Sequence, residues 1–290
     1  MRLLTRSVAM TAISAVLLCA CATDANKGQP VSTGKPLRLI LVGDSTMATK
    51  SGYGDALCQR FKPDVTCLNL AKGGRSSGSY RAEGSWEVIQ TLLKANAQYS
   101  QTVVLIQFGH NDQPGKPGRS TDLATEFPVN MTRYVEELKA AGAQAVLITP
   151  LTRRSFKGAQ LQNDLRPWAD ASMAVATAQH VPLIDLNAIS YRAVQTMGEA
   201  EADTLAMAPP PSSAMSVTPA TTTTTATAAT IATAATNNDT AKTERAGAAR
   251  PLFDRTHLGS KCADFFSKMV LAELRVAIPS LDSSVRKEDK

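Results

Sequence analysis

The chain has 290 residues, 43% of them apolar and only 5% aromatic, with a formal charge of +6. That is enough apolar material for a sizeable core, while a mild charge with no dense basic run gives nucleic-acid binding no support. Beyond the opening stretch no segment is long and apolar enough to read as a membrane span.

Arg2 and Arg6 precede "VAMTAISAVLLCA", a short apolar run ending in a small residue. This pattern reads as an export signal over residues 1–20, and its loss lowers the formal charge to +4. The ending "LCAC" sets Leu18 three places before Cys21 and Ala20 one before it. It resembles a bacterial lipobox, in which cleavage precedes the cysteine and that cysteine carries the acyl chains. The resemblance implies lipidation of Cys21, and Ala22 beside it implies the outer membrane, facing periplasm or cell surface. Several acyl chains together anchor firmly. The alternative is an ordinary secretory cut near Ala20 or Ala22. Contact with a membrane is expected only through this N-terminal anchor.

A polar tether follows over 21–36. Apolar strand candidates then recur at Leu37–Val42, Val65–Leu70, Val103–Phe108, Ala145–Thr149 and Pro182–Leu186. Between them lie amphipathic patterns such as "WEVIQTLLKANA" and "NMTRYVEELKAAG", the second stopped by Gly142. Continuous apolar strands alternating with such helices predict a parallel sheet covered on both faces. Ligands in folds of this kind sit beyond the carboxyl ends of the strands. Three polar clusters fall there: "GDST", "AKGGRSSGSY" and "GHNDQP". Residues 206–249 carry a Thr/Ala/Pro bias with almost no large apolar side chains, which predicts a disordered insertion. Structure is expected to resume over 250–280 with a turn and a last amphipathic helix, leaving 281–290 as a polar tail. One domain, residues 37–205 with 250–280, is the resulting assignment.

Of five cysteines, Cys58 closes a short helix and Cys67 sits in the next strand. They read equally as a local disulfide or as two separate thiols. Cys262 shares a helical stripe with Phe265, Phe266, Met269 and Val270, the spacing of a packed core thiol. No CxxC or paired-His spacing occurs, so no metal and no cofactor are expected.

A serine hydrolase needs a hydroxyl, a base, a group orienting that base, and donors for the oxyanion. Ser45, His257 and Asp254 are the candidates for the first three, since Asp254 lies three residues before His257, a spacing that lets it reach Nδ1 on one turn, with a helix cap as the alternative reading of Asp254. The backbone N–H groups of Ser45 and Gly74 and the Asn111 amide would be the donors, with a helix N-terminus behind Ser45 adding positive potential. Asp44 and His110 read as loop-shaping residues, and His180 as a turn residue. The GxSxG elbow is absent, which requires another serine scaffold.

"GDST", a glycine of "GGRSS", "GHND" and "DRTH", in that order, resemble the four blocks of the SGNH (GDSL-type) hydrolase superfamily. More narrowly, "VGDSTMA", "NLAKGGRSSGSY", "QFGHNDQP", "TPLTRRSF" and "DLNAISY" resemble its rhamnogalacturonan acetylesterase branch. The resemblance implies a three-layer α/β/α, flavodoxin-like fold around a five-stranded parallel sheet. It implies Ser45 as nucleophile, His257 as base and Asp254 as its partner, with Ser45, Gly74 and Asn111 forming the oxyanion hole. Arg255 stands where the family usually has Gly or Asn. The substrate implied is an O-acetylated oligo- or polysaccharide of the plant cell wall, such as acetylated pectin. Arg75, Arg153 and Arg154 lie on strand-end loops where they could meet galacturonate carboxylates, and pairing with acidic residues of their own loops is the alternative. Trp86, Trp168, Tyr80 and Phe156 are candidates either for stacking on sugars or for burial. Two rivals share these features: a short-chain lipase or thioesterase of the same superfamily, and a non-catalytic glycan-binding surface lipoprotein.

Overall fold

The computed structural model describes residues 34–208, 210 and 253–290. The export signal, Cys21, nearly all of the tether and nearly all of the 206–249 insertion lie outside the described residues.

Five strands form the central sheet: β1 (Leu37–Gly43), β2 (Thr66–Asn69), β3 (Gln101–Gln107), β4 (Gln144–Ile148) and β7 (Leu183–Ile184). All neighbours are parallel, in the order β2-β1-β3-β4-β7. A two-stranded hairpin of β5 (Phe156–Lys157) and β6 (Gln160–Leu161), unannounced by the sequence pattern, lies outside this sheet. Every residue of β1 is buried, and its side chains divide by parity as a strand demands. Leu37, Leu39 and Leu41 join one apolar cluster with α1 (Gly54–Cys58), α6 (Leu186–Met197) and α8 (Ser260–Ala277). Ile40 and Val42 join the other, with α3 (Ser85–Leu93), α4 (Glu126–Ala140) and α5 (Arg166–Ala178). Two short helices, α2 (Ser79–Ala82) and α7 (Glu199–Asp203), complete the set. The result is the three-layer α/β/α arrangement.

Strand order places the site. β1 pairs with β2 on one side and β3 on the other, so the loops leaving these three strands emerge side by side. Such a switch in strand order is where open α/β sheets form a crevice. The β1–β2 ladder continues past β2, with Leu70 N donating to Leu41 O at 2.9 Å and Lys72 N to Gly43 O at 2.9 Å. That carries the "KGGR" turn up against Asp44 and Ser45. Gly43 lies close to the neighbouring strand: a Cβ there would stand 2.7 Å from Gln107 O.

Several local expectations change. No regular helix starts at Ser45. The chain makes a turn closed by Ala48 N to Asp44 O at 3.0 Å, and α1 begins only at Gly54. The fifth strand is shorter than expected because Asp185 caps α6, accepting from Ala188 N, so the chain turns helical at Leu186. Residues 281–290 form no free tail. Leu281 and Val285 are buried, Val285 bridges to Phe61, and Asp289 pairs with Arg60. Cys58 and Cys67 are joined as a disulfide that ties α1 to β2. Closing so short a loop restricts the unfolded chain and is worth about 2–3 kcal/mol. Cys262 is fully buried against α8's core partners, and burial pushes its thiol up to about 12. Trp86 and Tyr80 are core residues, each 1% exposed, and Trp168 is buried too, so none of the three presents a face for a sugar.

Candidate active site

Ser45 follows β1 on a turn organised by its neighbour. Asp44 is fully buried, and its Oδ1 accepts from Thr46 N at 2.9 Å and Thr46 Oγ1 at 2.8 Å. Its Oδ2 faces His110 Nδ1 at 3.2 Å, which ties the loop after β1 to the loop after β3. Burial pushes the Asp44 carboxyl up, but His110 and the Thr46 donors more than offset this and leave it below the usual carboxylate range. Gln107 Nε2 donates to Thr46 Oγ1 at 2.7 Å, and Tyr53 OH donates to Gln107 Oε1 at 2.6 Å. Polar groups this deep require partners, and here each hydrogen bond also fixes the turn that carries Ser45. Asp44 and His110 therefore shape the loops, as their sequence context suggests.

His257 arrives from the other end of the chain. His257 Nε2 lies 2.9 Å from Ser45 Oγ, across 212 residues of sequence. His257 Nδ1 lies 2.9 Å from Asp254 Oδ2. Asp254 Oδ1 in turn accepts from the backbone N–H of Thr256 at 2.8 Å and of His257 at 2.6 Å. Burial pushes the Asp254 carboxyl up, while the hydrogen bonds and charge of His257 and the two N–H groups override it and hold the carboxyl at about 2. The acid stays ionised at any ordinary working pH. With Asp254 as an acceptor at Nδ1, the tautomer that carries its proton there leaves Nε2 able to accept from the serine hydroxyl.

The oxyanion candidates converge on the same loops. Gly74 is the third residue of a turn from Lys72 to Arg75 and has φ +78, a conformation that favours glycine. Asn111 Nδ2 donates to Arg75 O at 3.0 Å, so the loops after β2 and β3 are joined at this point. Asn111 Oδ1 accepts from Arg119 Nη1 at 3.2 Å, which fixes the amide so that its N–H side is defined. A Cβ at Gly74 would stand 3.7 Å from that same Nη1. Arg119 is buried beside both candidates, and sequence reasoning missed it. In "PGKPGRSTD" an arginine among Gly and Pro looks like a solvated loop charge, and only the fold brings it under Asn111.

The three arginines assigned to substrate carboxylates divide. Arg75 is half-exposed, with Nε shared between the two carboxylate oxygens of Glu83 at 3.0 and 2.9 Å. Arg153 is buried and paired with Asp164. Arg154 is fully buried, and its Nη2 donates to the carbonyls of Asp254 and His257. A guanidinium so enclosed is not presented to a substrate, so that expectation for Arg154 is corrected. Arg255, the departure within "DRTH", forms a two-pronged pair with Asp203, Nε at 2.9 Å and Nη2 at 2.8 Å, and also reaches Glu199 at 2.7 Å. It holds the turn to α7. His180 sits exposed in a turn with φ +50.

The GDSL-like lipase/acylhydrolase family model matches residues 41–210. The chain belongs to this family. It is 34% identical over 179 residues to the rhamnogalacturonan acetylesterase RhgT of Bacillus subtilis, a match that covers 59% of this chain and 74% of that one. A probable rhamnogalacturonan acetylesterase of the same organism, YesY, is 29% identical over 58% of this chain and 79% of its own length. The crystal structure of Bacillus subtilis YxiM shares the fold, with TM-score 0.57 at 21% identity, over 84% of this chain and 57% of that chain. The chain is therefore an SGNH carboxylic ester hydrolase of the rhamnogalacturonan acetylesterase-like branch.

Proposed function

We propose that this esterase is exported and removes O-acetyl groups from plant cell-wall polysaccharide such as rhamnogalacturonan. The observation that carries the mechanism is the 2.9 Å approach of His257 Nε2 to Ser45 Oγ, with Asp254 on the opposite ring nitrogen. Ser45 Oγ attacks the acetyl carbonyl carbon as its proton passes to His257 Nε2. The carbonyl electron pair collects on the oxyanion, which the N–H groups of Ser45 and Gly74 and the second amide hydrogen of Asn111 stabilise. The tetrahedral intermediate collapses, the bond to the sugar oxygen breaks, and that oxygen takes the proton from the imidazolium. Water then attacks the acetyl-serine, giving its proton to His257, and acetate leaves as Ser45 regains its hydrogen. No added cofactor enters this sequence.

The acetylated carbohydrate is supported by what the two Bacillus relatives are named for. Arg75, next to Gly74 and the most exposed of the three arginines, is assigned to a carboxylate of the bound glycan. Cys21 is assigned as the lipid attachment point that holds the enzyme at the outer membrane. The test is acetate release from acetylated rhamnogalacturonan, acetylated xylan and a series of 4-nitrophenyl esters, for wild type and Ser45→Ala. The expected result is acetate from the pectic substrate, preference for acetyl over longer acyl chains, and loss of turnover in the variant. Activity that rises with acyl length would place the enzyme among lipases instead. Wild-type turnover by Ser45→Ala would overturn the mechanism.

A further inference from the structure

The turn from Asp254 to His257 carries both the base and its partner, yet it belongs to no helix or strand. Its carbonyl oxygens point toward the interior and need donors. One residue supplies three of them. Arg154 N donates to Arg255 O at 2.8 Å, and Arg154 Nη2 donates to His257 O at 2.8 Å and to Asp254 O at 3.2 Å. Its Nη1 faces Cys262 Sγ at 3.8 Å in the first turn of α8. The side chain is fully buried although it carries a charge, a costly arrangement that the Nη2 hydrogen bonds offset, while Nε has no partner among the described residues. Both carbonyls accept from one nitrogen, Nη2, whose two N–H groups lie in the guanidinium plane and so hold them in a fixed relation.

A second set of ties connects this turn to the nucleophile. Leu258 N donates to Ser51 O at 3.0 Å, and Ser51 Oγ donates to Ser45 O at 2.8 Å. The serine turn is thus linked to the residue that follows the histidine. Arg255 ties the turn outward to α7, and Arg154 is the buried side chain that holds its carbonyls. We propose that Arg154 is the positioning residue for His257: by holding the carbonyls on either side of the pair, it sets imidazole Nε2 within reach of Ser45 Oγ. The proposal rests on the assignment of Ser45, His257 and Asp254 given above. Arg154 does not contact the reacting atoms and acts through the turn.

The test compares Arg154→Met, which keeps length and removes the donors, with Arg154→Lys, which keeps the charge and reaches one carbonyl. Turnover of 4-nitrophenyl acetate is measured per active site, counted by titration with a fluorophosphonate, so that a smaller folded fraction does not count as slower chemistry. Displacement of a catalytic group by about 1 Å costs on the order of 10²-fold. The expected result is kcat per site down roughly 10–100-fold in Arg154→Met, KM within about twofold of wild type, and an intermediate kcat in Arg154→Lys. Unchanged kcat per site in both variants would overturn the proposal. So would failure of both to show a cooperative unfolding transition, because Arg154 would then hold the fold rather than the base. Ser45→Ala and His257→Ala are run alongside. Activity retained by His257→Ala would sink the triad itself, whereas inactive triad variants beside a fully active Arg154→Met would sink the positioning role alone.

Discussion

At the scale of single residues, the proposed mechanism uses atoms whose partners are already in place. Asp254 accepts three hydrogen bonds and is held at about 2, which suits the role proposed for it of orienting His257 without competing for the proton. Asp254→Asn would present an amide N–H toward Nδ1 or force the wrong tautomer, and kcat is expected to fall by about 10⁴-fold. Asn111→Ala removes one oxyanion donor and is expected to cost roughly 10²–10³-fold in kcat with little change in KM. Steady-state kinetics on a small acetyl ester check both. A drop in Asn111→Ala confined to KM would mean that the amide binds the ground state and not the oxyanion. The residues proposed for the chemistry, Ser45, Asp254, His257, Gly74 and Asn111, stand in short sequence blocks, and the structure brings Ser45, His257 and Asp254 within hydrogen-bond distance of one another. Arg154 reads from the sequence as a strand-end-loop candidate for substrate carboxylates, which its burial in the structure corrects. Its burial depends on a turn a hundred positions further on, which no local pattern reports.

Elements explain how those residues meet. The parity of β1 sends alternate side chains into two apolar layers, and pairing on both of its edges gathers three loops at one end. Apolar runs and amphipathic periods made the main strands and helices readable. The short fifth strand, the hairpin of β5 and β6 and the turn after Ser45 were not, because each is decided by a capping group or a tertiary contact. One buried carboxyl on the loop after β3 gives a test at this scale. Asp112 is fully buried and accepts from Ser77 N, Ser77 Oγ and Thr121 Oγ1. Burial raises its carboxyl to about 7, with those hydrogen bonds offsetting only part of the effect and the charge of Asp44 adding to the rise. Between the ordinary value of 3.8 and about 7 the folded chain keeps a proton that the unfolded chain has lost. This contribution to stability therefore falls as pH rises through that window. His110 works in the opposite direction, since burial lowers its imidazole despite the pull of Asp44, so the native state binds fewer protons there. Comparison with Asp112→Asn, which keeps an acceptor oxygen, isolates the carboxyl. Its Tm relative to wild type is expected to climb from about pH 4 to about pH 7 and then level off. A Tm difference independent of pH would contradict the assignment.

Across the whole molecule, the account depends on two distant parts of the sequence forming one site. Ser45 follows the first strand, and His257 precedes the last helix. Between them the chain crosses the sheet and then passes through the Thr/Ala-rich stretch. The described residues on either side of that stretch are tied together: Gly259 N donates to Leu205 O at 3.1 Å, and Arg255 grips Asp203. Such stitching registers the base turn against the body of the domain. Sequence order and block chemistry pointed to this convergence, but distance could come only from the fold. The most direct measurement is mass-spectrometric mapping of a fluorophosphonate adduct on wild type and on His257→Ala. The account predicts a single adduct on the peptide containing Ser45, formed rapidly in wild type and slowed by at least about 10²-fold without the imidazole. An adduct on another residue, or equal labelling rates in the two proteins, would contradict it.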